Sequence, residues 1–402
     1  MADTTDGADD PLAAVLAATE AARAPAATGS EARALAKVDA MIALMLAAIR
    51  NHPRFVALEA AWHSLHRLIE QQQGAPVVVK LLPLTKREAI RDQRAVQDPE
   101  DSDLVALLWH EGLGAREPFG LLLADMEFGA DTEDVQALRG LAAAGAGAFV
   151  PVVAHAAPGL LDLEDWRALP GRRDLARAHE GPRHIAWRGL RDSEEARFLA
   201  LVAPPVLARG GEGAPRWTGG GWVLASRIAA AFRRDGWAAG IEGREDGTET
   251  GLPPMGSVPT ACDPGDGQEV ALATLGLTLL VPRGADRAAV LLAPSLHKPP
   301  RFHAPAATAD AALAARLPWV LATGRILQAL ALGARWEVQR GRGTPAAVQA
   351  LNAWLAPLVG EVGPLAAGSA ELTEPGVVAA RLRVRLPQGT PAAAHRLALA
   401  LP

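Results

Sequence analysis

Apolar residues recur at helical spacing in two neighbouring segments near the amino terminus. In residues 38–49 and again in residues 55–69, an apolar side chain returns at every third or fourth position. Such a stripe is typical of an amphipathic helix that buries one face. Asn51 and Pro53 lie between the two segments, and a proline suits the first turn of the second helix. The pattern therefore predicts two consecutive helices.

Further along the chain, short apolar runs alternate with helical segments. The pattern predicts strands at residues 77–82, 119–126 and 149–154, and helices at 85–94, 104–109 and 132–141. Beyond them it predicts helices at 192–201, 222–233, 309–340 and 344–358, and strands at 237–241, 275–281 and 288–293, with Pro318 breaking the long helix. Strands alternating with helices are typical of an α/β fold class of mixed α+β layers with some parallel pairing.

The carboxyl end shows strict alternation in two runs separated by a turn at residues 387–391. The apolar residues that share a face in these runs include Val378, Leu382, Val384 and Leu386 in the first and Leu397 and Leu399 in the second. This pattern predicts a β-hairpin. The hairpin either pairs with a neighbouring chain or forms the edge of the chain's own sheet.

The amino end carries a short helical stretch ahead of a linker at residues 25–30. Leu12, Val15 and Leu16 fall on one face of that stretch. A short helix joined through a flexible linker suits recognition by a groove on another protein. The alternative is a frayed terminus with no partner.

Composition excludes several classes of function. The chain has 402 residues, half of them hydrophobic, and a net charge of −5, which does not suggest a nucleic-acid or anionic-membrane partner. Its single cysteine, Cys262, fits a reducing compartment. The acidic start lacks the pattern of a secretory signal, and the apolar runs are too short or too interrupted for direct membrane insertion. We therefore expect a cytoplasmic protein.

Glu59, His63 and His66 fall on one face of the second predicted helix, the spacing of a carboxylate and imidazole metal site. Because the same helix carries an apolar stripe and no second ligand cluster stands nearby, we favour a structural helix, with His66 bonded to a backbone or carboxylate group.

Asp125 and Glu127 lie two residues apart on a predicted strand and so face the same side. Paired carboxylates can serve acid and base chemistry, but we favour ion pairs with arginine. Arg191, Glu194, Glu195 and Arg197 stand at helical spacing and predict an ion-pair network.

The glycines at residues 219–221 precede a predicted helix but lack the lysine and hydroxyl residue of a phosphate-binding loop. No cofactor, metal or catalytic group is therefore expected, and we predict that the chain is not an enzyme.

Ordered motifs along the chain resemble the large contractile-sheath subunit of type VI secretion systems, the TssC or VipB family. They are HPRF, ALEAAW and LH at residues 52–66, PFG at 118–120, DMEF at 125–128, RDSEEAR at 191–197, GW at 236–237, GLP at 251–253, LHKP at 296–299, RLP at 316–318 with Arg325, and LNAWL at 351–355. The residues that carry the resemblance include Glu59, Trp62, His66, Asp125, Glu127, Arg191, Glu194, Arg197, Arg325, Asn352 and Trp354. The stretch DPLAAVLAATE at residues 10–20 also resembles the family peptide that binds the ClpV unfoldase.

This resemblance implies a sheath-type core with extended terminal arms. It implies a flexible arm at residues 1–30, an α/β core at 31–372 with possible subdomains at 31–205 and 206–372, and a hairpin arm at 373–402. The implied partners are a small sheath subunit, further copies of the chain, an inner tube protein, a ClpV-like AAA+ unfoldase and a baseplate. The alternatives are a divergent sheath-like paralogue with a phage-tail-like or accessory role, and an α/β enzyme with a titrating pair around Asp125 and Glu127.

Overall fold

The structure is a computed structural model that describes most of the chain. It covers residues 29–98, 101–114, 117–210, 215–265, 267–340, 344–360, 364–374, 377–385 and 394–400. The predicted recognition helix with Leu12, Val15 and Leu16 lies outside the described residues, as does Leu386. The chain divides into two compact units, Met1–Leu58 and Glu59–Pro402. The predicted arms and subdomains stay predictions.

Two helices open the described part, as the apolar periodicity predicted. Helix α1 spans Gly29–Arg50, and every one of its residues is exposed. Helix α2 spans Pro53–Gln71 and begins at the predicted proline. Only three residues of α2, Ala60, Ser64 and Leu65, are buried. The apolar stripes of both helices are therefore largely open to solvent.

A mixed sheet forms the centre of the second unit, which confirms the α/β fold class. Among the described residues its strands run in the order β1-β2-β3-β7-β8-β6. The first four are parallel and the last two pair antiparallel. Their bounds are Leu122–Phe128 for β1, Val152–Ala156 for β2, Leu199–Ala203 for β3, Thr248–Glu249 for β6, Leu277–Pro282 for β7 and Ala288–Val290 for β8. Strands β2 and β3 are fully buried, as expected for parallel strands covered on both faces.

Helices and shorter strands surround this sheet. The helices are Lys86–Ala95 (α3), Asp103–Leu107 (α4), Thr132–Ala148 (α5), Ile185–Arg191 (α6), Gly221–Asp235 (α7), Gln268–Thr274 (α8), Pro305–Ala314 (α9), Leu317–Gln339 (α10) and Thr344–Leu355 (α11). A π-helical turn, Leu108–Gly114, follows α4, and strands Val206–Arg209 (β4) and Arg216–Thr218 (β5) form a separate hairpin. Helix α3 begins with a capping box formed by Thr85 and Glu88.

Three predicted elements are wrong. Residues 77–82 belong to no strand, and residues 237–241 have no regular structure. The predicted helix at residues 192–201 is instead a turn, a short 3-10 helix at Glu195–Phe198 and the start of β3. The apolar run that ends this segment fits a helix or a strand, because a fully buried strand does not alternate between apolar and polar residues.

Two helical predictions differ in extent. Helix α5 continues past residue 141 to Ala148. The prediction ended too early because the last turns consist of alanine and glycine, which show no apolar periodicity. Gly145 is needed there, since a Cβ would lie 2.7 Å from the Val150 carbonyl oxygen. The long helix predicted for residues 309–340 is two helices, α9 and α10, and it breaks just ahead of Pro318, as predicted.

The carboxyl end forms an antiparallel sheet with the order β11-β10-β9. Its strands are Leu365–Glu374 (β9), Val377–Val384 (β10) and Ala394–Ala400 (β11). The predicted hairpin is β10 with β11, and β9 was not predicted. Side chains of β10, including Val378, Leu382 and Val384, are buried in a second core with α10 and α11. In the single chain, β10 is therefore an internal strand.

Among the helices that the structure describes, one passes the length and composition test for a membrane span. Leu317–Glu337 has a mean hydropathy of 1.3, but 78% of that window is buried inside the fold. Burial of this extent is what the core helix of a globular domain shows.

Candidate functional site

A groove beside the carboxyl end of α6 brings together two motifs that lie about 100 residues apart in the sequence. Arg191 is buried, and its guanidinium donates to the carbonyl oxygens of Leu296 and Thr274, each at 3.1 Å. The amide of Lys298 donates to the Arg191 carbonyl oxygen at 2.7 Å. Burial lowers the pKa of Arg191 to about 10, although neighbouring Asp192 acts in the opposite direction. Arg191 remains charged at neutral pH and fixes the loop that carries LHKP.

His297 lies at the base of this groove. Its Nδ1 is 2.8 Å from the Ser193 carbonyl oxygen, so Nδ1 carries the proton and donates. Its Nε2 is 3.9 Å from Glu194 Oε1. Burial lowers the pKa of His297, and the charges of Arg197 and Arg191 act in the same direction. The imidazole is therefore neutral at pH 7. The groove has a volume of about 670 Å³, and its lining residues are Asp192, Glu194, His297, Lys298, Pro299, Pro300 and Arg301.

The charge cluster at residues 191–197 is only partly the predicted ion-pair network. Arg197 pairs with Glu194 at 2.6 Å and also donates to the Ala314 carbonyl oxygen. Arg191 instead uses its donors on backbone carbonyls. The prediction assumed one α-helix through all four charged residues. The α-helix ends at Arg191, and a separate 3-10 helix follows at Glu195–Phe198. The two arginines serve to fasten backbone segments, which is a structural role.

A second cluster forms where β1, β2 and the amino end of α7 meet. His155 Nε2 is 2.9 Å from Asp125 Oδ1, and His155 Nδ1 accepts a hydrogen bond from the Gly221 amide at 3.1 Å. The Nε1 group of Trp222 also donates to Asp125 Oδ1, at 2.9 Å. Because Nδ1 accepts, Nε2 carries the proton and donates to the carboxylate. Burial disfavours the ionised form of Asp125, but the hydrogen bonds from His155 and Trp222 outweigh it and lower its pKa.

The three glycines at residues 219–221 allow this close approach. A Cβ on Gly219 would lie 2.0 Å from the His155 ring, and one on Gly221 would lie 2.7 Å from it. Glycine is therefore needed at residues 219 and 221 because the His155 imidazole packs against the backbone there. The arginine expected beside Asp125 is replaced by His155 and Trp222, so that prediction is wrong. Glu127 is exposed on the same side of β1 as Asp125, as the alternation predicted.

An aspartate and histidine pair is a common part of acid and base machinery. Here both ring nitrogens of His155 are engaged, and its side chain is only 4% exposed. The chain's cysteine lies elsewhere in the core, where burial raises the pKa of the Cys262 thiol to about 12, a shift that Asp263 and Asp165 reinforce. The two hydrogen bonds hold the His155 ring in place, and the Cys262 thiol stays protonated at neutral pH.

Glu59 is held by arginines from the β4–β5 hairpin. Its carboxylate accepts from Arg216 Nε at 2.5 Å and from Arg209 at 3.0 Å, and His63 Nε2 is 3.8 Å away. Burial raises the pKa of Glu59, but the two arginines lower it by more. The net result is a pKa below the usual value. His66 pairs with Glu70 at 3.4 Å, which confirms the predicted carboxylate partner. Among the described residues no group of three or more possible ligands could hold a metal ion.

Two further motif residues join separate elements. Arg325 donates to the Pro118 carbonyl oxygen at 3.2 Å. Asn352 accepts from the amide of Ala370 and donates to its carbonyl oxygen, both at 2.8 Å. Asn352 thereby binds the backbone of β9 in the way that a neighbouring strand would. Trp62 and Trp354 are both exposed.

Comparison with known proteins places these motifs in one class, the tail-sheath proteins. The family described as EvpB/VC_A0108, tail sheath N-terminal domain (VipB), matches residues 32–216. The type VI secretion system sheath protein TssC1 of Pseudomonas aeruginosa is 31% identical over 329 residues, which are 72% of this chain and 66% of the relative. The chain belongs to the TssC/VipB family of type VI secretion sheath proteins.

Coverage of these relatives is partial. The chain spans about 66% of the length of TssC1. A solved sheath tail protein from Desulfitobacterium hafniense is 12% identical and has a TM-score of 0.36, with 66% of this chain and 60% of that chain covered. The sequence family, rather than this structural likeness, carries the assignment.

Proposed function

We propose that the chain is a structural subunit of a type VI contractile sheath that assembles with a small sheath subunit and with further copies of itself around an inner tube. The observation that carries the proposal is the distribution of exposed apolar residues. Sixteen of the 24 large apolar side chains that are exposed among the described residues lie between residues 35 and 82. Exposed apolar side chains concentrated in one stretch of the sequence indicate contact with another protein.

Helix α1 supports a stable partner most directly. Its apolar positions include Val38, Met41 and Met45, which are all exposed. An amphipathic helix in water gains most of its stability from packing of its apolar face. We propose that the small sheath subunit covers this face. Assembly then removes the apolar surface from water at the same time as it builds the sheath.

The carboxyl sheet supports linkage between copies. The Asn352 side chain bonds the amide and carbonyl groups of Ala370 at the outer edge of β9. Strand β10 is internal, so β11 presents the edge at which a further strand can add. We propose that β11, which carries Leu397 and Leu399, exchanges or extends between subunits, with Val378, Leu382 and Val384 forming its support. Strand addition would keep subunits joined while their cores move.

The remaining partners follow from the family. We propose that a ClpV-like unfoldase binds the stretch with Leu12, Val15 and Leu16, that the segment at residues 344–358 faces an inner tube protein, and that a baseplate nucleates assembly in the cytoplasm. The engaged nitrogens of His155 and the high pKa of the Cys262 thiol, about 12, support a role without catalysis.

The test is co-expression with a small sheath subunit from the same genome, followed by negative-stain electron microscopy of the lysate. We expect tubular sheaths with cogwheel-shaped ends, and co-purification of the two chains. The matched control replaces three exposed α1 residues at once, Val38, Met41 and Met45, by serine, which should abolish co-purification. A monomer that stays indifferent to the small subunit would contradict the proposal.

A further inference from the structure

Residues 59–71, the later part of α2, contact the β4–β5 hairpin and α7 through polar side chains. Only Ala60, Ser64 and Leu65 of α2 are buried, whereas Trp62 is 57% exposed and Ile69 is 47% exposed. An ordinary surface helix shows the opposite arrangement, with its apolar stripe against the core and its charged residues in water. Apolar packing therefore contributes little to holding this segment in place.

Ion pairs hold the amino end of the segment. The Glu59 carboxylate accepts from Arg216 Nε at 2.5 Å and from Arg209 at 3.0 Å, and both arginines belong to the β4–β5 hairpin. The Arg209 side chain is 59% exposed, so water competes for this contact. Ion pairs that reach solvent in this way weaken as salt is added.

Polar contacts also hold the carboxyl end. Arg67 donates to the carbonyl oxygens of residues 250 and 251, at 2.6 and 2.7 Å, and to Glu249 Oε1 at 3.1 Å. The Gln71 side chain donates to the same Glu249 oxygen at 2.6 Å and accepts from Ser226 of α7 at 2.7 Å. The two ends of the segment are therefore fastened by charges and hydrogen bonds.

Detachment of the segment would uncover polar groups more than apolar surface. Water can hydrogen-bond to the groups that Glu59 and Arg67 leave, so the net loss for each contact is small. Glu249 is the exception, since its side chain is only 1% exposed and an unpaired buried carboxylate is costly. Arg227 of α7, however, lies 2.7 Å from Glu249 Oε2. The charge of Glu249 therefore stays paired when the segment leaves.

We propose that residues 59–71 form a reversible strap, which detaches from β4, β5 and α7 as one piece while the remainder of the second unit stays folded. Segments with few buried apolar contacts open at a lower free energy than the core around them. The strap follows from these contacts and is independent of the proposed sheath function. Its consequence in a sheath rests on that function: the exposed apolar face of α2 could stay on a partner while the core beneath it moves.

Hydrogen–deuterium exchange of the full chain tests the strap, because a helix released from its support is only marginally stable in water and its amides then exchange. We expect exchange of a peptide covering residues 59–71 to speed up about threefold or more between about 0.05 M and 1 M NaCl. Helix α5, which is packed in the main apolar core, is the internal reference and should change by less.

A single substitution tests the fastening at the carboxyl end. Arg67→Ala removes the contacts with residues 249–251, and alanine is the best helix former, so faster exchange would not come from lost helix propensity. We expect exchange of residues 59–71 to speed up about tenfold or more, with α5 unchanged. The matched control is His66→Ala, which removes only an exposed pair with Glu70 and should stay within about threefold of wild type.

Two results would overturn the strap. In the first, exchange of residues 59–71 follows that of α5 with salt and in Arg67→Ala, so that α2 and the core open as one cooperative unit. In the second, exchange of residues 59–71 changes neither with salt nor in Arg67→Ala. Both results leave the sheath function standing, since co-purification with the small subunit tests that function separately.

Discussion

Acid should destabilise this protein through one buried histidine, His179. Its side chain lies in the main core, where Trp187 Nε1 donates to Nδ1 at 3.2 Å and the His184 ring is 5.1 Å away. Burial lowers the pKa of His179 to about 3, and the nearby charge of Arg191 and the His184 ring act in the same direction. Neutral imidazole is therefore the form that the fold accepts.

The sign of the effect follows from proton binding. Below pH ~6.5, the ordinary pKa of histidine, the unfolded chain takes up a proton at His179 that the folded chain does not bind. This contribution to stability is complete above that pH and is lost as the pH falls toward the folded pKa of about 3. The loss is about 1.4 kcal/mol per pH unit, so near pH 5 the free energy of unfolding should be lower by about 2 kcal/mol.

Comparison of wild type with His179→Asn isolates this contribution. Asparagine can place a carbonyl oxygen where Nδ1 accepts from Trp187, but it does not titrate. We expect urea unfolding of the wild type to show an additional loss of about 2 kcal/mol between about pH 7 and pH 5, which the variant lacks. His66→Asn, at an exposed position, controls for the substitution itself. Equal pH dependence in wild type and His179→Asn would refute the reasoning.

Two stability predictions concern contacts that join separate elements. Asn352→Ala should lower the free energy of unfolding by about 2–4 kcal/mol in urea denaturation, because it leaves the buried amide and carbonyl groups of Ala370 unpaired; an effect under about 0.5 kcal/mol would contradict the bidentate contact. Gly219→Ala should lower the thermal midpoint by several degrees or prevent folding, because the new Cβ would lie 2.0 Å from the His155 ring. Gly120→Ala, where a Cβ meets nothing within 4 Å, should leave the midpoint unchanged, and equal behaviour of the two variants would show that the His155 contact is absent.

Periodicity predicted the elements that carry an apolar stripe on one face. Helices α1 and α2 carry long apolar stripes, and α11 begins at residue 344, as predicted. Strand β9 was missed because its sequence, LAAGSAELTE, is mostly small and polar and has no alternation. Its place depends on β10 on one side and on the side chain of Asn352 on the other. Such contacts join residues distant in sequence, and no local pattern encodes them.

The same limit applied to the functional clusters. Asp125 was identified, but its partner His155 lies 30 residues away in a fully buried strand and carries no motif. The glycine run at residues 219–221 was the available signal, since three consecutive glycines before a helix indicate close approach of another group. Similarly, RDSEEAR and LHKP were each recognisable, but only the fold shows that Arg191 binds one to the other.

Edges of sheets determine where this subunit can bind a further strand. The interior strands of the main sheet are paired on both sides, and β9 is engaged at Ala370 by Asn352. Strand β11 lies at the edge of the carboxyl sheet, and we propose it as the strand to which a second chain adds. A lattice that contracts needs bodies that stay rigid and links that persist while the bodies rotate. A buried parallel sheet supplies the rigidity, whereas strand addition at the periphery supplies links whose strength comes from backbone hydrogen bonds and therefore does not depend on the packing of one subunit core against the next. On this reasoning a neighbouring copy completes the edge at β11, and the same edge in an isolated chain would be a site of aggregation.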